Sequence, residues 1–211
     1  MDWFAGNLVT AFIDLCRFRR CRVTGTTLLV FAHADEAECF AEAGVPHLVT
    51  GVGKINATLS LSQALLSAEP GAISRVVVLG TAGAIGDEAR LDTVYQVTGV
   101  VQHDYSLPSP KITPAGQTLA PNTATIATGD VFVQDDAQRA SISALGATLV
   151  DMESYAYAVV CERLEVPLQL FKVPSDFADS STTQDEWDGV VVSKSRQLLD
   201  FVSAHLPELL G

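Results

Sequence analysis

The sequence has few basic residues for its size. Lys and Arg together number 13 among 211 residues, against 25 Asp and Glu, and the formal net charge is -12 at pH 7. Proteins that bind nucleic acid need clustered Lys and Arg to neutralise phosphates. The basic cluster of this chain is confined to the N-terminal stretch and comprises Arg17, Arg19, Arg20 and Arg22. We therefore expect no nucleic-acid partner.

Cysteine patterns that hold metals or disulfides are also missing. The four cysteines show neither a Cys-x-x-Cys pair nor a Cys/His spacing typical of a zinc site; they are Cys16, Cys21, Cys39 and Cys161. No secretory signal is recognisable, so reduced thiols in a cytoplasmic protein are the expectation. We predict a cytoplasmic location and no bound metal.

The N-terminal stretch lacks a hydrophobic run long enough to cross a membrane. Residues 1–24 carry apolar side chains at roughly helical spacing, but Asp2 and Asp14 interrupt them and the basic residues follow them. A signal peptide has the opposite charge order, and a membrane span needs about 20 apolar residues. We predict an amphipathic extension, packed on the domain or on a partner subunit; peripheral membrane contact is the alternative.

From Thr26 onward, short apolar runs alternate with segments of helical spacing. A hydrophobic content of 48% is enough to bury a sizeable core. Predicted strands cover residues 28–32, 47–51, 75–79, 93–101, 123–128, 148–150 and 168–173, and predicted helices cover 35–43, 56–68, 135–144, 154–164 and 186–206. This alternation predicts an α/β protein with a largely parallel sheet.

Acids and glycines follow the predicted strands at their carboxyl ends. Asp151 and Glu153 come after one strand, Asp176 after another, and Gly80 and Gly83 after a third. Ligands of open α/β sheets bind outside the carboxyl ends of the strands. Because Asp and Glu are seldom buried without a partner, these positions indicate a pocket for a polar ligand.

Six motifs in this order resemble the nucleoside phosphorylase/nucleosidase superfamily. They are Gly51-Val52-Gly53-Lys54-Ile55-Asn56-Ala57, Gly80-Thr81-Ala82-Gly83, His103-Asp104, Gly129-Asp130-Val131-Phe132, Asp151-Met152-Glu153 and Ser175-Asp176. The likeness is greatest to the methylthioadenosine/S-adenosylhomocysteine nucleosidases and runs from about residue 27 to 204. It implies one domain over residues 25–211, a three-layer α/β/α sandwich with a mixed, mostly parallel twisted sheet, no cofactor, and a homodimer.

The resemblance also implies how the acids act on a purine nucleoside. Asp176, helped by Ser175, matches the acid that protonates the purine at N7, since burial can keep a carboxylic acid protonated at neutral pH. Glu153, as a carboxylate, matches the residue that binds the ribose hydroxyls and favours the oxocarbenium-like transition state. Glu36 matches the general base that orients the attacking water.

Other residues of the motifs are implied to contact the substrate without reacting. Met152 matches a residue against the sugar, Phe132 one that stacks on the base, and Val133 one whose main chain reads the base edge. The remaining predicted contacts are Thr81, Ala82, Gly83, His33 and Asp151. Taken singly, several residues of the motifs also have ordinary structural explanations: Phe132 and Met152 could be core residues, and Asp176 could cap a turn.

Hydrolysis is favoured over phosphorolysis. A phosphorylase holds its phosphate dianion with arginines, which related enzymes carry after the first strand and before the glycine turn. Here residues 33–38 contain three acids, and Val78 and Leu79 precede Gly80. Phosphorolysis with Arg90 as a ligand stays open, as does a catalytically weak nucleoside-binding protein.

Departures from the nucleosidase pattern leave the substrate open. His33 stands where those enzymes usually carry Met, Lys172 where many carry Arg, and Asp151 where they carry Glu. The loop between His103 and residue 129 is rich in proline. Futalosine-type and other purine nucleosides are therefore candidates beside methylthioadenosine. His103 and Asp104 are expected either to form a loop salt bridge or to touch the ligand.

Overall fold

Strands and helices alternate through the described chain. The computed structural model describes residues 25–107 and 109–211, so the predicted extension over residues 1–24 lies outside them and stays a prediction. No helix among the described residues is long and apolar enough to cross a membrane.

The observed elements follow the predicted order. The strands are β1 (Thr26–Phe31), β2 (Leu48–Val49), β3 (Ile73–Ala84), β4 (Tyr95–Gln102), β5 (Thr123–Thr128), β6 (Leu149–Asp151) and β7 (Leu168–Asp176). The helices are α1 (Glu38–Glu42), α2 (Lys54–Ser67), α3 (Asp136–Ser143), α4 (Ser154–Arg163) and α5 (Gln184–His205), with 3₁₀ turns at Asp35–Ala37 and Pro207–Leu209. The predicted α/β fold is confirmed.

The strands form one mixed sheet in the order β2-β1-β3-β6-β5-β4-β7. Because β3 also pairs with β7, five of the strands close into a ring. Five pairings are parallel, and the β3–β6 and β4–β7 pairings are antiparallel. The sheet is therefore mostly parallel, as predicted.

Helices cover both faces of this sheet. Val30 and Val78 pack in a core with residues of α2 and α4, whereas Leu29, Phe31 and Leu79 pack in a second core with residues of α1 and α5. Alternate residues of a strand point to opposite faces, which is why neighbours in β1 belong to different cores. A three-layer arrangement results.

Two strands extend by more than one residue past their predicted ends. β3 continues through Gly80 to Ala84, and β7 includes Ser175 and Asp176. The extra length has partners on both sides, since Gly83 pairs with Val150 of β6 and with Asp176 of β7. The glycine turn predicted after β3 is thus part of the strand, where tertiary pairing outweighs the local turn preference.

Candidate active site

A pocket of about 230 Å³ lies at the carboxyl ends of β1, β3, β6 and β7 and beside the segment after β5. All twelve residues predicted for the site line it; they are His33, Glu36, Thr81, Ala82, Gly83, Phe132, Val133, Asp151, Met152, Glu153, Ser175 and Asp176. Their meeting in one pocket is observed. Their roles stay predictions.

Glu36 is held rigidly in the 3₁₀ turn after β1. Its side chain is buried, and Oε1 accepts hydrogen bonds from the Thr81 amide at 2.6 Å and the Thr81 hydroxyl at 2.7 Å. Oε2 accepts from the His33 amide at 3.1 Å. A carboxylate with only one donor on Oε2 retains a lone pair there that can accept a proton from water.

Glu153 precedes α4 and is 4% exposed. Burial, reinforced by the Asp151 charge, raises its pKa to about 8, although Lys172 and the Gly53 amide act in the opposite direction. Burial therefore disfavours the carboxylate form of Glu153, and its role as a carboxylate toward the sugar stays a prediction. A positive charge developing on a bound sugar would lower this pKa.

The raised pKa of Glu153 should make the free energy of unfolding depend on pH. The unfolded chain loses this proton near the ordinary value, 4.5, while the folded protein keeps it up to about pH 8. Between these pH values the folded state binds the extra proton, so stability falls as pH rises, by about 1.4 kcal/mol per pH unit at most. Urea unfolding at pH 5 and pH 8 should show wild type losing stability relative to Glu153→Gln. An identical pH dependence of the two proteins would contradict it.

Asp176 is the last residue of β7 and lines the same pocket. Burial raises its pKa, although its oxygens accept hydrogen bonds from the Ser175 hydroxyl at 2.7 Å and the Ala178 amide at 2.8 Å. The raised pKa suits a group that donates a proton. Gly83 makes this geometry possible, because a Cβ there would lie 2.7 Å from the Ala178 Cβ and 3.2 Å from the Asp176 Oδ1.

A buried ion pair lies behind these acids. Lys172 is 1% exposed, and its Nζ lies 3.0 Å from the Asp151 Oδ2. Burial acts to lower the pKa of Lys172, but the surrounding Asp151, Glu36 and Glu153 carboxylates raise it above its usual value. The Asp151 oxygens also accept from the Thr128 and Ser154 hydroxyls. Asp151 therefore lines the pocket with a carboxylate already engaged by protein groups.

The sequence analysis missed part of the pocket wall contributed by α5. Thr183 and Glu186 form a capping box that starts this helix and places Trp187 in the pocket lining. The Trp187 Nε1 donates to the Thr81 hydroxyl at 3.1 Å, and its ring meets His33 edge-on at 5.3 Å. The capping-box residues predict that a helix begins here, but the sequence does not show that the start of this helix packs against the pocket. Also unpredicted were Ala32, Val52, Val131, Val150, Ala178 and Gln184.

His33 is half exposed at the pocket. Its Nδ1 lies 3.3 Å from the Asp35 amide nitrogen and 3.5 Å from the Asp35 Oδ2. His103 and Asp104 do not line the pocket, and Asp104 pairs with Lys54 instead of His103, at 2.7 Å.

Comparisons with known proteins agree with this arrangement. Residues 115–206 match the Phosphorylase superfamily. The chain is 27% identical over 198 residues to the aminodeoxyfutalosine nucleosidase of Campylobacter jejuni, covering 81% of this chain and 85% of that protein. It is 30% identical over 152 residues to the 5′-methylthioadenosine/S-adenosylhomocysteine nucleosidase of Arabidopsis thaliana, covering 65% of this chain and 59% of that protein.

Solved structures share the fold. A futalosine hydrolase mutant of Helicobacter pylori superimposes with a TM-score of 0.76 over 87% of this chain and 99% of that one, at 18% sequence identity. The family match and the sequence relatives agree with the motifs that line the pocket, and the solved structures have the same fold. In sequence this chain is similar to members of the nucleoside phosphorylase/nucleosidase superfamily, among them methylthioadenosine/S-adenosylhomocysteine and aminodeoxyfutalosine nucleosidases.

Proposed function

We propose that this protein is a nucleosidase that hydrolyses the N-glycosidic bond of a purine nucleoside. The observation that carries the proposal is the meeting of three buried or half-buried carboxyl groups, Asp176, Glu153 and Glu36, on the walls of one pocket. Two of them have raised pKa values, caused first by burial, and the third is fixed by three hydrogen bonds. Groups with such distinct environments are suited to distinct acid and base roles.

In the proposed mechanism, Asp176 donates its proton to N7 of the purine while the bond from C1′ to the base breaks. The bonding electron pair leaves with the base, which the proton neutralises. Glu153 stabilises the ribosyl cation by its charge, and the cation in turn favours the ionised form of Glu153. Water attacks C1′ and gives a proton to Glu36, so the products are a free purine base and a ribosyl sugar.

Water is favoured over phosphate as the nucleophile. Among the described residues that line the pocket there is no Arg or Lys. The nearby Lys172 ammonium is engaged by Asp151, and Arg90 is exposed and does not line the pocket. A phosphate dianion next to Glu36 would meet repulsion that a neutral water does not.

The relatives suggest which nucleosides to assay. Their names specify aminodeoxyfutalosine, methylthioadenosine and S-adenosylhomocysteine, and we propose that the substrate is among these 5′-substituted purine nucleosides. Turnover of methylthioadenosine would assign the protein to methionine salvage. The cytoplasmic location stays a prediction.

The decisive experiment measures release of free base from these nucleosides, and from adenosine and inosine, with and without phosphate. We expect an equal rate in both conditions and a free sugar as the second product. Phosphate dependence with formation of a sugar 1-phosphate would identify a phosphorylase. Binding of adenine without turnover of any nucleoside would identify a binding protein.

We further propose that the protein is a homodimer that associates through the exposed face of α2. Ile55, Leu59 and Leu66 lie on one side of this helix and are 79%, 55% and 71% exposed. Val52, Tyr105 and Leu107 are also exposed apolar residues. Apolar side chains grouped in this way mark a surface for a partner.

Leu59→Asp should therefore convert the dimer into a monomer, because a charge in an apolar interface loses its hydration without gaining a partner. Light scattering coupled to gel filtration measures the mass. The matched control is Leu145→Asp, which changes a leucine of similar exposure, 51%, outside α2. A wild-type protein that is monomeric at micromolar concentration would rule the dimer out.

A further inference from the structure

Charged residues from three motifs of the sequence meet beside the pocket and have no role in the proposed reaction. They are Lys54 at the start of α2, Asp104 after β4 and Asp130 after β5. None of the three lines the pocket. Two of them nevertheless neighbour a segment that does: Val52 lies two residues before Lys54, and Phe132 two residues after Asp130.

The three residues form a closed set of hydrogen bonds. The Asp104 Oδ1 accepts from the Lys54 ammonium at 2.7 Å, and its Oδ2 accepts from the Asp130 amide at 2.8 Å. The Asp130 Oδ1 in turn accepts from the Lys54 amide at 2.7 Å. One carboxylate, Asp104, thus ties the start of α2 to the segment that carries Phe132.

This set supplies the N-terminal cap that α2 lacks. The N-cap residue of α2 is Gly53, which has no side chain to accept from the first helical amides. Asp130 does so from a distant part of the chain, and its negative charge suits the positive end of the helix dipole. Gly53 has φ +93°, and a Cβ there would lie 3.2 Å from the Asp130 Oδ1.

The capped start of α2 brings the Gly53 amide to Glu153, the residue proposed to bind the ribose. The Gly53 amide donates to the Glu153 Oε1 at 2.8 Å, and this bond lowers the pKa of Glu153 against the effect of burial. The other charged or titratable groups that act on Glu153 are Asp151 of β6, Lys172 of β7, Glu36 of the turn after β1, and Tyr157 of α4. Among these influences, only the Gly53 amide comes from the N-cap of α2.

We propose that Lys54, Asp104 and Asp130 form a positioning clamp. It holds the Gly53 amide against Glu153 and fixes the position of the Phe132 segment relative to Glu153. The proposal rests on the proposed function, because it assigns the clamp to the orientation of the ribose and base subsites. The three residues act through Gly53, Glu153 and Phe132 and do not themselves touch substrate.

An ordinary surface ion pair would not have this effect. Ion pairs between exposed side chains contribute only about 0–1 kcal/mol to the free energy of unfolding. The Lys54 and Asp104 side chains are only 21% and 20% exposed, and both make second hydrogen bonds, to Gln102 and to the Asp130 amide. Burial acts to raise the pKa of Asp104, but the bonds from Lys54 and Asp130 hold it below its usual value.

The test uses Asp104→Asn, which keeps the shape but replaces one acceptor by a donor, and Lys54→Met. Carbon-13 NMR titration of Glu153 should show a higher pKa in both variants, because the Gly53 amide is no longer held in place. Amide exchange should quicken at Gly53 and Lys54 and stay slow at the buried Leu61 of the same helix. Neither measurement needs turnover, so each remains decisive even if no nucleoside is cleaved.

Kinetics provide the second measurement. For a cleaved nucleoside, kcat should fall about tenfold to a hundredfold, as expected for a small displacement of catalytic groups. The acid limb of the pH profile should move to higher pH, and Lys54→Arg should restore much of both. The control is Glu208→Gln, which breaks the Arg75–Glu208 pair, 2.6 Å long and outside the pocket lining, and should change neither. A wild-type Glu153 pKa and wild-type exchange at Gly53 in the Asp104 and Lys54 variants would overturn the proposal.

Discussion

Asp176→Asn should reduce kcat about a thousandfold, within the range of about 10² to 10⁴ that general acid catalysis contributes. The amide cannot protonate N7, so the purine must leave as an anion. The substitution keeps the fold, because the Asn carbonyl can still accept from the Ala178 amide and its NH₂ can donate to the Ser175 hydroxyl. KM should change little. Single-turnover release of free base measures the effect.

A matched control lies on α5. Asp200→Asn makes the same chemical change at an exposed residue outside the pocket lining, and we expect wild-type kcat. Calorimetric binding of the free base to Asp176→Asn should show that the pocket remains intact. A kcat within threefold of wild type in Asp176→Asn would remove Asp176 from the role of acid.

Glu36→Gln should have the second largest effect, a loss of kcat of about a hundredfold or more. A neutral amide cannot take the proton of the attacking water. It also cannot accept all three hydrogen bonds that Glu36 accepts. If its oxygen accepts from the Thr81 amide and hydroxyl, its NH₂ group faces the His33 amide, which is another donor. The loss should appear in kcat at all pH values at which the folded protein is stable. Steady-state kinetics with the preferred nucleoside measure it.

The control for this variant is Glu42→Gln on α1, an exposed carboxylate that pairs with Arg196 at 3.5 Å. It should retain wild-type kcat. Thermal unfolding of both variants separates a lost base from a disturbed fold. If Glu36→Gln is folded, binds the free base and turns over at the wild-type rate, another group activates the water.

The sequence predicted the order of elements well because the buried strands are nearly continuous apolar runs bounded by glycine or polar residues. It placed the ends less well. The strand predicted to stop at Leu79 continues to Ala84, since Gly83 finds partners on β6 and β7 that local sequence does not reveal. Similarly, Trp187 is recognisable as a residue of a helix start, yet its contact with Thr81 depends on how α5 crosses the sheet.

The candidate acids were predicted from their positions after strands and from the family motifs. The sequence did not predict their pKa values. The role of Glu153 as a carboxylate stays a prediction, and burial with the neighbouring Asp151 charge raises its pKa to about 8. Such a shift depends on how many charges the fold buries together, and Asp151, Glu36 and Lys172 come from three distant parts of the chain.

The sequence by itself determined the fold class, the family resemblance and the residue types of the pocket, because hydrophobic period and motif order are local properties that can be read along the chain. Only the tertiary structure decided what each polar group is paired with. It joined Asp104 to Lys54, Lys172 to Asp151 and Trp187 to Thr81, contacts that span 50, 21 and 106 residues. Hydrogen bonds and ion pairs need their atoms within a few ångströms of each other, so these partners exist only once the sheet has brought the strand ends together.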